Sequence, residues 1–232
     1  VMVTLISVAI VSFFSSINWL SLKIETTSVL LGYNNFWQIN ANLDYFARHV
    51  DSPFMHLWYI SILLQFDLVF PFIYKGLKKI GDKVDKLAPC AFTFILAVIG
   101  TAYFYKCTLG SNLMNAYYNT FARVYSILFG LCLGFIHSYY KPLVPEYIRK
   151  KPLRKIMVLF CLIDSNSKLF TFSMIIITLI SCRLIDYAVL DKKELNILDK
   201  ILKVISDLSY EIYLVQYPVI FLFQYININH YL

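Results

Sequence analysis

Ser52–Lys75 reads SPFMHLWYISILLQFDLVFPFIYK, and its reading decides the fold. The run is as long as one bilayer crossing, which takes roughly 20 apolar residues. Yet His56, Ser61, Gln65 and Asp67 lie inside it. Ionisable and amide side chains are costly in hydrocarbon, so they line a cavity, pair with a neighbour or do chemistry. The stretch therefore predicts an integral membrane protein whose function resides in a polar interior.

Composition agrees. Hydrophobic residues make up 59% of the 232 and charged residues only 15%, well below the quarter or so expected of a soluble domain. The 18 Tyr and 19 Phe suit interfacial belts, where an amphipathic ring sits at headgroup depth. The net charge of +7 does not indicate nucleic-acid binding, because the basic residues fall between apolar spans rather than on one face. The five cysteines (Cys90, Cys107, Cys132, Cys161 and Cys182) lack metal-ligand spacing and read as small packing residues, not as a disulfide framework. No bound metal or cofactor is expected.

The chain begins at Val1 in mid-hydrophobic sequence, which is expected of a piece of a longer protein. Val1–Ser15 reads as the end of a truncated first helix. Ile17–Trp37, with Lys23, Glu25 and Asn34-Asn35, is either a weak span or a re-entrant segment. Spans are predicted at Phe54–Tyr74, Pro89–Tyr105, Phe121–Tyr139, Ile156–Ile163 (starting as far back as Tyr147), Leu169–Leu190 and Leu208–Tyr225. Gln38–Pro53, Lys75–Ala88, Leu109–Thr120, Lys141–Lys155 and Asp164–Lys168 read as loops, and Asp191–Asp207 as a charged segment. The expected fold is all-α: a polytopic transmembrane bundle of about seven to eight segments, forming one domain over residues 1–232.

Loop charge orients it. Lys75, Lys78, Lys79, Lys83 and Lys86 fill one connection, Lys141, Arg149, Lys150, Lys151, Arg154 and Lys155 another, and Lys192, Lys193, Lys200 and Lys203 a third. The intervening connections are poor in basic residues, so the positive-inside rule puts the three basic ones in the cytoplasm. The residues after Tyr225 then emerge outside. Two readings of the lysines stay open: topology signals with anionic-lipid contacts, worth about 1 kcal/mol each, or a receptor for a phosphorylated cytoplasmic cofactor.

Among polar residues within spans, helical spacing puts Ser61 and Gln65 on a shared face, with His56 at the outer end of its span. A histidine there either donates to a neighbouring helix or transfers protons, for which its ordinary pKa near 6.5 is suited. Asp67 lies deeper and needs a partner or water. Arg123 and Glu211 are similar cases, and Arg123 is expected to pair with a carboxylate or ligand. Tyr210, Tyr213, Tyr217 and Tyr225 form a stripe on the last helix, either as a helix contact or as the lining of an acceptor path.

These residues resemble a known family. His56-Leu57-Trp58-Tyr59, with Gln65-Phe66 and Phe70-Pro71, resembles the His-x-Trp…Gln-Phe…Pro signature of the membrane acyltransferase-3 family. Thr120-Phe121-Ala122-Arg123-Val124 through Leu128-Phe129-Gly130 resembles its Thr-Arg…Gly helix, and Ser209–Val219 its Ser-Tyr…Pro-Val helix. Asp44-Tyr45-Phe46 matches the triplet before the His-Leu-Trp block. Two departures from the pattern stand out: Leu63-Leu64 lie where many members have Glu-Glu, and Gln216 where many have His. Both point to the branch similar to Gram-positive peptidoglycan O-acetyltransferases. The family's first-helix histidine, regarded as central to catalysis, is absent from this stretch.

The resemblance implies an enzyme that passes an acyl group, usually acetyl, from cytoplasmic acyl-CoA to a hydroxyl of an extracytoplasmic glycan. In some members a secreted hydrolase-like domain follows the last helix. Acyl transfer needs a base for the hydroxyl proton and donors for the developing oxyanion. The residues implied are His56, Gln65, Arg123, Tyr210 and Tyr213. A transporter or flippase would also place polar groups along a pathway, but no internal repeat supports that alternative.

Overall fold

The computed structural model describes residues 6, 19–44, 52–109, 113–140, 169–190 and 197–230, and all regular structure among them is helical. In chain order the helices are α1 (Trp19–Leu30), α2 (Asn34–Asn40), a 3-10 turn (Met55–Leu57), α3 (Trp58–Lys83), α4 (Leu87–Thr108), α5 (Leu113–Tyr118), α6 (Thr120–Tyr139), α7 (Phe170–Leu190), α8 (Ile197–Asp207) and α9 (Ser209–His230). Three stretches among the described residues are long and apolar enough to cross a membrane: Met55–Lys83, Leu87–Thr108 and Thr120–Tyr139. The described residues are thus all-α, with three long apolar helices of the kind that membrane proteins carry.

Several boundaries differ from expectation. The span predicted to stop at Tyr74 continues as helix to Lys83, so Lys75, Lys78, Lys79 and Lys83 sit on α3 rather than in a loop. Gly76 and Gly81 weaken this stretch by about 1 kcal/mol each, but no proline interrupts it, and the register keeps Leu77 buried against Cys90 and Phe135. α3 also tolerates Pro71 in its interior, as membrane helices do when the freed carbonyl is satisfied locally. Leu109–Thr120, expected as a loop, contains α5, and the charged segment before Leu208 contains the amphipathic α8. The predicted loop Gln38–Pro53 begins inside α2. The expected segments at Val1–Ser15 (residue 6 apart) and Lys141–Lys168 lie outside the described residues.

Two compact units divide the chain: residues 1–68 with 194–232, and residues 69–193. In the first, the ambiguous stretch Ile17–Trp37 proves to be two short helices. α1 has 12 residues, about 18 Å against a hydrocarbon core of about 30 Å. It stops because Gly32 takes φ +73°, with Tyr33 N–H donating to the Ser28 carbonyl at 2.9 Å and Gly32 N–H to that of Val29 at 3.2 Å. This left-handed cap suits a residue without Cβ. α2 ends in the same way at Asn42 (φ 52°), the other residue type that visits this region readily. The apolar core of this unit is Leu22, Phe54 and Leu57, packed by Val29, Ile60, Tyr213 and Leu214.

In the second unit, α4 and α6 pair along a seam of small residues. Cys90, Thr93, Ala97 and Gly100 recur at helical spacing and are buried, while Phe92, Phe94, Ile95, Val98 and Ile99 point outward. α4 is apolar all round, so side-chain size rather than polarity marks its contact face. Small residues let backbones approach closely where the solvent is itself apolar. The thiol of Cys132 lies 3.4 Å from the Cys90 carbonyl. At Gly100 an added Cβ would sit 3.1 Å from Tyr125 Cβ and 3.4 Å from Tyr125 Cα. Asn119 caps α6 by accepting from Phe121 N–H at 2.9 Å.

Gly100→Leu is therefore expected to lower the stability of the protein in detergent by about 1–3 kcal/mol, through overpacking, and Gly100→Ala by less. A thermal-denaturation series checks this. Equal melting temperatures for all three forms would mean that the seam is not tight.

Candidate functional site

His56 occupies the middle of the 3-10 turn that leads into α3 and is fully buried. Its ring stacks on Tyr217, centroids 4.7 Å apart, and meets Tyr213 edge-on at 5.0 Å. The Tyr213 hydroxyl donates to the His56 backbone carbonyl. Neither ring nitrogen meets full hydrogen-bonding geometry among the described residues, although the Tyr213 and Leu214 backbones lie close enough to interact with the ring. Orphaned buried polar atoms are rare, and each asks for an explanation such as a catalytic role. The four residues from Phe54 to Leu57 are all buried, so the turn itself is rigidly enclosed.

Around this turn runs a chain of buried polar contacts. Ser52 Oγ accepts from Phe54 N–H at 3.1 Å and donates to the Glu25 carboxylate of α1. Ser28 donates to the Glu25 carbonyl at 2.6 Å and accepts from Asn34 Nδ2 at 3.0 Å. The backbone N–H of Asn34, first residue of α2, donates to Ser61 Oγ on α3 at 3.1 Å. Gln38 donates to Asn34 Oδ1 at 3.2 Å. Gln65 closes the series, its amide nitrogen donating to the Gly32 carbonyl at 2.8 Å and to Asn35 Oδ1 at 2.9 Å. Ser61 and Gln65 thus share a face, and that face holds the break between α1 and α2.

Each implied site residue has a definite place. His56 and Tyr213 meet. Gln65 lies nine residues along from His56, about 13 Å by helical rise, and both of its N–H donors are already engaged, which favours positioning over oxyanion binding. Tyr210 shares the angular stripe of Tyr213 and Tyr217 but is 59% exposed, because it belongs to the first turn of α9, ahead of the packed region. Arg123 lies in the second unit. Its Nε donates to the Tyr117 carbonyl at 3.0 Å, and its guanidinium sits 4.3 Å from the Tyr117 ring centroid and 5.5 Å from that of Phe104. A carbonyl and two aromatic faces thus orient the group expected to pair with a carboxylate or a ligand. Asp67, expected at depth with a partner, is exposed, as is Glu211.

Two features escaped the sequence reading. One is Glu25, only 3% exposed. It stands on a helix too short to cross a bilayer, in the segment expected as a weak span or re-entrant, where nothing in the sequence marks its partner. The other is His137, whose Nε2 lies 2.7 Å from Asp186 Oδ1 across α6 and α7. Each sits singly near a span end, and only the packing brings them together. No group of three or more metal-ligating side chains occurs among the described residues.

Burial raises the Glu25 carboxyl from 4.5 to about 7, opposed by the Ser52 hydroxyl and the Phe54 N–H. A folded-state pKa above the unfolded value means that the folded form holds the extra proton between the two. Its stabilising contribution is complete below about pH 4.5 and is lost as pH rises through about 7. Relative to Glu25→Gln, the wild-type protein is therefore expected to lose on the order of 3 kcal/mol over this window. Paired melting curves from pH 4 to 8 check this, and a constant difference across the range would refute it.

Comparison with known proteins identifies the setting of these residues. O-acetyltransferase OatA from Staphylococcus aureus strains NCTC 8325, COL and MRSA252 is in each case 27% identical over 222 residues, covering 87% of this chain and 35% of the relative. The chain thus spans about a third of the length of these curated relatives. No solved structure matches it. The profile of the acyltransferase-3 family, described as an acyltransferase domain, matches residues 1–232 from end to end, and the chain belongs to that family.

Proposed function

We propose that this chain is the helical core of a multi-pass cell-membrane acyltransferase with seven to eight spans, forming one domain over residues 1–232. It moves an acyl group, acetyl by analogy with the O-acetyltransferase relatives, from cytoplasmic acyl-CoA to a hydroxyl of an extracytoplasmic glycan or cell-wall polymer. The observation that carries this reading is the family match across the whole chain. The enclosed His56, its ring stacked on Tyr217 and edge-on to Tyr213, supports it.

In this reading His56 takes the proton of the acceptor hydroxyl as its oxygen attacks the thioester carbonyl. The new C–O bond forms, the C–S bond breaks, and the CoA thiolate recovers a proton as it leaves. Tyr213 holds the His56 backbone, and Tyr217 fixes the ring plane by stacking. Gln65 keeps α3 docked on the broken helix. Arg123, oriented by the Tyr117 and Phe104 faces, supplies fixed positive charge for an anionic group, and Tyr210 offers an exposed phenol at the start of α9. The lipid bilayer is the solvent, and a hydrolase-like extracellular domain, fused or separate, is the expected partner downstream. Nucleic acid has no part in this reading.

Two experiments on the full-length parent protein test this. With labelled acyl-CoA in membrane vesicles, Arg123→Ala is expected to abolish transfer while membrane levels stay normal. Full activity at normal levels would remove Arg123 from the site. Single cysteines at Lys79 and Lys86 should escape an impermeant thiol reagent applied from outside, and one at Asn115 should react. The reverse pattern would invert the topology.

A further inference from the structure

Glu25 has no place in the family signature and no part in the transfer described above, yet it is among the most deeply buried charged residues of the described chain. Its carboxylate accepts from Ser52 Oγ, which also accepts from Phe54 N–H at 3.1 Å. The Ser52 carbonyl accepts from Met55 N–H at 3.5 Å, and the Phe54 carbonyl from Leu57 N–H at 2.9 Å. Ser52 is thus the anchor of the turn that carries His56, and Glu25 is what Ser52 is anchored to. On the far side, the Tyr213 hydroxyl holds the His56 carbonyl.

A carboxyl group is a poor choice for packing alone. Buried ionisable groups cost more than apolar residues of similar volume, and breaking their contacts leaves a charge uncompensated. A short 3-10 turn, by contrast, cannot satisfy its own first N–H groups. Something must hold them if the histidine is to keep one orientation, and catalytic groups require positioning to fractions of an ångström. The Ser52–Glu25 pair meets that need from a separate helix, so the orientation of His56 depends on how α1 is seated. The raised carboxyl pKa is in keeping with this enclosure.

We propose that Glu25 is a positioning residue: acting through Ser52, it locks the Ser52–Leu57 turn and so fixes the His56 ring against Tyr213 and Tyr217. The functional part of this inference rests on His56 serving acyl transfer. The positional part does not.

The test uses the full-length protein in nanodiscs, with the rate of diethyl pyrocarbonate modification of His56 followed by peptide mass spectrometry. His137, paired with Asp186 in the other unit, serves as the internal reference. Wild-type His56 should be protected. Ser52→Ala and Glu25→Leu should raise its rate at least tenfold while His137 is unchanged. Glu25→Gln, which keeps an oxygen acceptor for Ser52, should stay near the wild-type rate. A His56 rate that is unchanged in Ser52→Ala and Glu25→Leu, or that rises only in step with His137, overturns the proposal. In the same series, acyl transfer should lose kcat with KM unchanged. A wild-type protein without acyl transfer would overturn the functional reading, while the modification rates still decide the role of Glu25.

Discussion

In a medium without water, every backbone N–H and C=O must find its partner inside the protein. The break between α1 and α2 is where this constraint bears hardest, because a helix interrupted in an apolar setting exposes carbonyls at one end and N–H groups at the other. Two side chains of α3, one of α1 and the turn itself answer it. Gly32 turns the chain and offers its carbonyl to Gln65, Ser61 accepts the first N–H of α2, and Ser28 holds the Asn34 side chain. The side chains that look most like chemistry on α3 are thereby explained in part by the architecture beside them. Two polar groups of this region, Gln38 Oε1 and the His56 ring, lack a well-formed hydrogen bond among the described residues.

The second unit solves a different problem with different means. Its helices α4 and α6 have continuous backbone hydrogen bonding and need no polar rescue, so close approach suffices. A seam of Cys, Thr, Ala and Gly on α4 receives Tyr125 and Cys132 from α6. Polar groups there are held locally, as with Thr93 and Thr101, whose hydroxyls donate back to carbonyls of their own helix at 2.7 and 2.8 Å. Arg123 follows the same economy, its Nε donating to the Tyr117 carbonyl and its guanidinium lying over the Tyr117 and Phe104 rings.

Much of this was legible in the sequence. Hydropathy located the three long spans, and the spacing of Ser61 and Gln65 put them on a common face. The aromatic-flanked His56 stood out because it interrupts an apolar run. What could not be read was long-range pairing. Glu25 and Ser52 are 27 residues apart, and neither belongs to a periodic pattern, so their contact exists only in the fold. Helix ends are illegible for a local reason: a lysine-rich, glycine-containing stretch reads as a loop, yet lysine is a good helix former and packing of Leu77 carries α3 on past Tyr74. The exposure of Tyr210 was missed because helical angle says nothing about where along an axis the packing begins.

The length of α3 has an electrical consequence. At 26 residues the helix is about 39 Å long, several ångströms more than the hydrocarbon it has to cross. Lys75, Lys78, Lys79 and Lys83 ride on its last turns and are all exposed. The Tyr139 hydroxyl, 3.0 Å from Asp82 Oδ1, ties those turns to α6. Ammonium groups on a floppy loop average their field over many positions, whereas groups on a braced rod add theirs at fixed points. The potential they raise reaches about 8 Å at physiological ionic strength. Within that shell small anions are enriched over bulk, and raising the salt concentration erases the enrichment without moving an atom of the helix.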